Sequence, residues 1–332
     1  MTTTQIQPID AQQTQQQRDA LLQLLTLLRD HHYDFLAPTP ASHERVLARP
    51  GRQSGSTTED LLGWNVPCRS DAMDEAVTAA LDAAGLLERD DDGFVKAGVR
   101  VSRLFDCLFV HSAFPTAAKD SVFLGPDSHR FADYISRNIA GLKPGAKILD
   151  YGAGAGAGGI VAATLHGDAT LTLADINPKA LALASVNATA AGVEHHTVST
   201  KSVGDVDGQF DLIVTHPPFM IDRDRRAYRD GGDLYGGQLS LDWTLAAIEK
   251  LTPGGRFLMH TGVSIVEGRD VVQEALSEAM PAIGYRYDYR LLDPDIYSDE
   301  LENEVYAEVD RIAAIGLCVV RDPAAGPVTQ TS

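Results

Sequence analysis

The chain has 332 residues, with 46 acidic against 28 basic side chains and a formal net charge of -18. At 44% hydrophobic and 22% charged residues the composition is ordinary for a globular chain, and the length predicts a main domain plus an accessory one. That acidic balance repels a phosphate backbone and no Lys/Arg run offsets it, so nucleic acid is not expected as a partner.

The opening segment MTTTQIQPIDAQQTQQQ lacks the charged-then-apolar form of a leader, and no apolar stretch reaches membrane-spanning length. A cytoplasmic chain with no membrane contact is expected. Cys68, Cys107 and Cys318 are far apart and form no CxxC pair, so neither a disulfide framework nor a metal site is predicted.

In chain order, residues 1–17 read as a Thr/Gln-rich disordered tail. The leucines from Leu21 to Leu28 then predict an amphipathic helix ending near His31, and Ser42 is the expected N-cap of a short second helix. A third helix is predicted over 71–87, with Gly85 at its end. Alternation at Val99, Val101, Leu104, Leu108 and Val110 marks a β-hairpin. Residues 18–112 therefore read as a helical, winged-helix-like accessory domain. From 113 to 321 the pattern alternates strand and helix, beginning with a helix near Ser128 and the strand segment KILDY. Two late apolar segments, around Tyr285 and Ile312, are expected to close the sheet as an antiparallel edge pair, before a tail at 322–332. Such alternation predicts an α/β fold with a mostly parallel sheet and helices on both faces, Rossmann-like in type.

The chemistry-bearing stretch is Asp150-Tyr-Gly152-Ala-Gly154-Ala-Gly156, between a strand and a helix. Glycines at alternate positions let the backbone turn sharply and approach a ligand closely. Asp150 at the strand end can accept from an ammonium, and Asp175, which ends the next strand, can accept from two ribose hydroxyls. In this order the three features predict a nucleoside cofactor.

These segments resemble a known family. ILDYGAGAGAGG is similar to motif I of class I S-adenosylmethionine (SAM)-dependent methyltransferases, and ADINPKALALASVNA to their post-I motif. THPPF stands where N-methyltransferase members carry Asn/Asp-Pro-Pro-Tyr/Phe. The resemblance, strongest to the small-domain group that includes release-factor glutamine and ribosomal guanine methyltransferases, runs from about Phe109 to Val320. It implies that SAM is the cofactor, that Asp150, Gly152, Gly154 and Gly156 line its methionine part, and that Asp175 binds the ribose. Ile176 or Asn177 would flank the adenine, and Asp127 in the GPDS turn would lie near the amino-acid end. His216, Pro217, Pro218 and Phe219 would hold the methyl acceptor.

Two positions depart from the family pattern. His216 cannot reproduce the paired donor and acceptor of an amide, which changes the acceptor from the usual planar amine and makes His216 a candidate proton acceptor. Near Thr200, Lys201 and Ser202 there is no acid for the adenine amine, so Ser202 or a backbone carbonyl is expected to replace it. Arg225, Arg226 and Arg229 are candidates for holding a substrate anion, Tyr228 and Tyr235 for walling the site or pinning its loop, and His260 for bordering the crevice. His195 and His196 read as surface. The expected function is SAM-dependent methylation of a small molecule or metabolite, at nitrogen. The alternatives are a SAM-consuming cyclase that forms azetidine-2-carboxylate and methylthioadenosine, and an rRNA or protein N-methyltransferase.

Overall fold

The computed structural model describes residues 11–226 and 228–324. The expected tails therefore lie outside the described residues at 1–10 and 325–332. Ala11–Gln17, assigned to a tail above, instead forms the start of a 20-residue helix. Glutamine costs a helix little, so a polar stretch continuous with the leucine-rich segment extends it.

The chain divides into two compact units, Met1–Arg103 with Leu108–Pro115, and Leu104–Cys107 with Thr116–Ser332. The first contains helices α1 (Ala11–Asp30), α2 (Pro40–Leu47), α3 (Thr58–Leu62) and α4 (Glu75–Ala83), interleaved with strands β1 (Cys68–Arg69), β2 (Leu87–Arg89) and β3 (Phe94–Ala97). Strands β1, β3 and β2 form a small antiparallel sheet, and β4 (Val99–Leu104) pairs with β5 (Cys107–Ser112) as a hairpin. Two expected strands are thus four: the Gly98 break separates β3 from β4, and Leu87–Arg89 adds β2 before the turn. Leu21, Leu24, Leu25 and Leu28 bury one stripe of α1, in a core that also holds Leu61, Leu62, Val77 and Leu81. The N-cap of α2 is Thr39, whose hydroxyl accepts from the Ser42 amide at 3.2 Å, and not Ser42 itself. Pro40 occupies the first helical position, where its missing N–H is harmless.

The second unit begins with α5 (Pro126–Asn138) and continues β6 (Ala146–Tyr151), α6 (Ala157–His166), β7 (Ala169–Asp175), α7 (Pro178–Ala190), β8 (His195–Ser199), β9 (Phe210–Thr215), α8 (Gln238–Ile248), β10 (Leu251–Val266), β11 (Arg269–Asp270), α9 (Val271–Ala279), β12 (Tyr285–Asp293) and β13 (Arg311–Arg321). The sheet order is β12-β13-β10-β9-β6-β7-β8. The five strands from β10 to β8 are parallel, and β13 inserts antiparallel between β10 and β12. The late pair forms as expected, but only β12 is at the edge. His195 and His196 lie at the surface as expected, His196 exposed and His195 half-buried, and belong to the opposite edge strand, β8. Its polar HHTVS gives no apolar alternation, and its histidines are tied down: His195 to the Ser185 hydroxyl and His196 to the Thr172 hydroxyl, each at 2.9 Å.

Period-two alternation sends Leu149, Ile213, Phe257, Met259 and Ile315 to one face of the sheet, in a cluster with Ala247 and Ile248 of α8 and Val272 and Leu276 of α9. Helices α5, α6 and α7 also pack on the sheet strands. Each such buried aliphatic side chain contributes roughly 1.5–3 kcal/mol. Among the described residues no helix is long and apolar enough to cross a membrane, and all three cysteines are free.

Candidate functional site

Strand order reverses at β6, with β7 and β8 on one side of it and β9 and β10 on the other. In an open α/β sheet, ligands bind beyond the carboxyl ends of strands at such a reversal. Tyr151 of β6 lies directly beside Thr215 of β9, and the Thr215 hydroxyl donates to the Tyr151 carbonyl at 2.7 Å. The glycine loop and the Thr215–Phe219 turn, distant in sequence, therefore leave the sheet side by side.

Gly152, Gly154 and Gly156 have φ of +70°, +54° and +82°, the left-handed region that favours glycine. A Cβ on Gly152 would also lie 2.6 Å from the Trp243 ring. Asp150 is 2% exposed, and its Oδ2 accepts from the Gly159 amide in the first turn of α6 at 2.7 Å. Burial pushes the Asp150 carboxyl up to about 7; the Gly159 amide opposes that and the nearby Asp175 charge adds to it. Asp175 accepts from the Gly154 amide at 2.9 Å and from the Asn177 amide at 2.8 Å, and burial raises its carboxyl as well. Among the described residues neither carboxylate pairs with a cation. Two part-desolvated acids beside an open-backbone loop make a site that favours hydroxyl or ammonium donors.

Next to Asp175 opens a cleft of about 420 Å³, lined by Ile176, Val198, Ser199, Thr200, Lys201 and Asp205. Ile176 is half exposed there, whereas the Asn177 side chain caps α7 through Lys179 and donates to the Asp120 carbonyl. Ser202, the expected replacement acceptor, is turned into its own loop, its hydroxyl accepting from the Gly204 amide at 3.2 Å. The acid that reaches this cleft is Asp205, which the sequence reading missed. A one-turn 3-10 segment, Val203–Asp205, brings it round, and nothing in the local pattern marks that turn.

On the other side of β6, the His216 ring lies between Phe131 and Phe219, each 5.7 Å away by ring centroid. Its Nδ1 is 2.7 Å from the His260 carbonyl. A carbonyl only accepts, so Nδ1 carries the proton. Burial lowers the His216 pKa, with the Asp127 charge and the His260 carbonyl opposing, which keeps the ring neutral with a lone pair on Nε2. His260, fully buried on β10, stands 4.8 Å from His216 by ring centroid, and its Nε2 has no partner among the described residues. Phe219 seats against Gly262, where a Cβ would come within 2.3 Å of the ring.

Asp127 is 2% exposed and is held by the Arg130 guanidinium at 2.9 Å and by the Tyr297 hydroxyl at 2.5 Å. Arg130 also bonds Asp293 at 2.9 Å. Tyr297, in left-handed backbone at φ +53°, lies 6.1 Å from Phe219 by ring centroid. It comes from the segment after β12, where no motif pointed to it. Asp127 thus supports the His216 side of the site.

Two of the three loop arginines, Arg226 and Arg229, are not free to hold a substrate anion. Arg226 pairs with Asp222 at 2.5 Å, and Arg229 pairs with Glu300 at 2.6 Å. Tyr228 donates to the Thr116 carbonyl at 2.5 Å and Tyr235 to Glu308 at 2.7 Å. The loop is tied down by its own side chains; the acids that neutralise its arginines include one, Glu300, about 70 residues downstream, which spacing alone does not reveal. Arg225 is exposed.

Residues 132–230 match the family model described as the methyltransferase small domain. The chain is similar to a release factor glutamine methyltransferase of Deinococcus radiodurans, 32% identical over 124 residues, which is 34% of this chain and 45% of that protein. It is also similar to a ribosomal RNA small subunit methyltransferase C of Serratia proteamaculans, 37% identical over 117 residues, 35% of this chain and 28% of that protein. In each case the match spans less than half of the relative's length. Among solved structures, a 16S rRNA N2 methyltransferase of T. thermophilus in complex with AdoMet and guanosine aligns over 77% of this chain and 64% of its own, at 14% identity and a TM-score of 0.41. The matched residues 132–230 hold the glycine loop, Asp175 and the THPPF turn, so the similarity to the methyltransferase small domain falls on the candidate site.

Proposed function

We propose that the second unit is a SAM-dependent methyltransferase that methylates a nitrogen of a small molecule or metabolite. The observation that carries this reading is the pair of cation-free carboxylates, the buried Asp150 and the half-buried Asp175, on either side of a left-handed glycine loop at the strand-order reversal. They fit the donors that SAM presents, an ammonium and two ribose hydroxyls. Asp150, Gly152, Gly154 and Gly156 take the methionine part and Asp175 takes the ribose. Ile176 packs on the adenine, and Asp205 accepts from its amine. When bound, SAM supplies an electrophilic methyl group.

His216, Pro217, Pro218 and Phe219 hold the acceptor. The aromatic rings of Phe131 and Phe219 flank it and exclude water, while the neutral Nε2 of His216 accepts its N–H. With SAM and an acceptor N–H in place, the neutral Nε2 of His216 would be positioned to take the acceptor proton. Positioning supplies most of the rate in a methyl displacement. A single nitrogen acceptor in place of an amide, together with the -18 net charge, favours a small amine over a planar base within RNA. The relatives, a release factor glutamine methyltransferase and a ribosomal RNA methyltransferase, point instead to protein glutamine and ribosomal RNA, so the test must separate the three.

The experiment is to incubate the protein with methyl-tritiated SAM and a cell extract divided into a small-molecule filtrate, a protease-treated fraction and a ribonuclease-treated fraction. Label in the filtrate supports the proposal. Label that protease or ribonuclease removes gives the acceptor as protein or RNA and overturns the small-molecule assignment. Methylthioadenosine formed from SAM alone, identified by mass spectrometry, would overturn methyl transfer.

A further inference from the structure

The first unit buries an arginine that no carboxylate among the described residues neutralises. Arg100, on β4, is 3% exposed. Its Nε donates to the Ser112 carbonyl at 3.0 Å, and its Cζ lies 5.8 Å from the Phe114 ring centroid. Among the described residues no carboxylate pairs with it, and its two Nη groups make no hydrogen bond. A guanidinium carries five N–H donors and a permanent charge, and with only Nε bonded inside the protein its two Nη groups keep four donors for a ligand or for water.

Its neighbourhood has the same imbalance. His43 is fully buried, stacked on Phe114 at 4.0 Å, with Nε2 2.8 Å from the Trp64 carbonyl and Nδ1 without a partner. His111 is fully buried on β5, with Nε2 2.8 Å from the Ser102 hydroxyl and Nδ1 likewise without a partner. Both histidines feel the Arg100 charge, which lowers their pKa further after burial has done most of it. The Tyr33 hydroxyl, which donates to the Val101 carbonyl, also feels that charge but cannot cancel it while neutral.

We infer that the first unit contains an oxyanion site centred on Arg100, which takes a carboxylate or phosphate group on the guanidinium, with His43 and His111 beside it. Two parallel N–H donors on a planar fork suit two oxygens of one anion. The site is separate from the methyltransferase reading and stands or falls without it.

The test uses the full chain carrying Trp243→Phe, which leaves Trp64 as the sole tryptophan, close to His43. Phosphate, acetate and chloride are titrated at constant ionic strength while Trp64 emission and the thermal midpoint are followed. A saturable emission change with phosphate or acetate, weakened roughly tenfold or more in Arg100→Gln, is the expected result. Saturation by phosphate alone makes a phosphorylated ligand the source, and saturation by acetate a carboxylate. Equal responses in Arg100→Gln, or no saturable response to either oxyanion, overturns the site. If Arg100→Gln fails to fold, Arg100→Lys keeps the charge but not the fork, and undiminished affinity there also overturns it.

Discussion

The buried carboxyl of Asp150 makes the stability of the second unit depend on pH in a direction that can be worked out. Its folded value, about 7, lies above the ordinary 3.8, so the native state holds the proton more tightly than the unfolded chain does. A group raised in this way costs stability as pH rises from the unfolded value to the folded one, and nothing further above it. At about 1.4 kcal/mol per pH unit, the penalty is about 2 kcal/mol at pH 5 and about 4 kcal/mol at pH 8. Asp150→Asn keeps an oxygen for the Gly159 amide and removes the titration. The stability of the variant relative to the parent should therefore improve by about 2–3 kcal/mol between pH 5 and pH 8. Urea unfolding of both proteins at both pH values measures it, since all other groups titrate alike and cancel. A difference unchanged between the two pH values would refute the burial argument. A cationic ligand at Asp150 should erase the penalty, so binding releases protons near neutral pH and Asp150→Asn binds SAM more weakly.

Three further outcomes follow from the same geometry. Asp175→Ala should weaken SAM binding by roughly 1–3 kcal/mol in calorimetry, as hydrogen bonds to a charged group are lost; unchanged affinity removes the ribose assignment. His216→Ala should slow turnover while leaving SAM affinity intact, and because burial lowers the His216 pKa, the acid limb of kcat/KM in the parent should fall below pH 6.5 and vanish in the variant. Gly262→Ala drives a Cβ to within 2.3 Å of Phe219. It should raise the KM for the acceptor well before it alters the affinity for SAM, which a paired kinetic and calorimetric titration would show.

The parallel half of the fold, and the placing of Asp150 and Asp175 at strand ends beside the glycine loop, were legible because both rest on local patterns. KILDY and FDLIVT are short apolar runs between punctuating glycines and prolines, and Asp150 and Asp175 end strands whose order follows from βαβ handedness. Other residues depend on contacts that no spacing encodes. Asp205 reaches its cleft through a single 3-10 turn. Tyr297 meets Asp127 across 170 positions of sequence, and Arg229 is cancelled by Glu300 from the far end of the unit. The β8 edge was invisible because its side chains are polar and its pairing is all backbone.

The position of β13 also has a consequence for how the molecule comes into being. Arg311–Arg321 is the last strand among the described residues and yet lies inside the sheet, hydrogen-bonded to β10 along one side and β12 along the other. Until that segment leaves the ribosome, β10 offers a long unsatisfied edge, and β12 has no neighbour at all. The nascent second unit therefore passes through a stage with an open sheet and exposed apolar strands, when pairing with other chains competes with self-completion. A stop codon anywhere before residue 311 would not trim a border from this protein but would leave its interior unzipped.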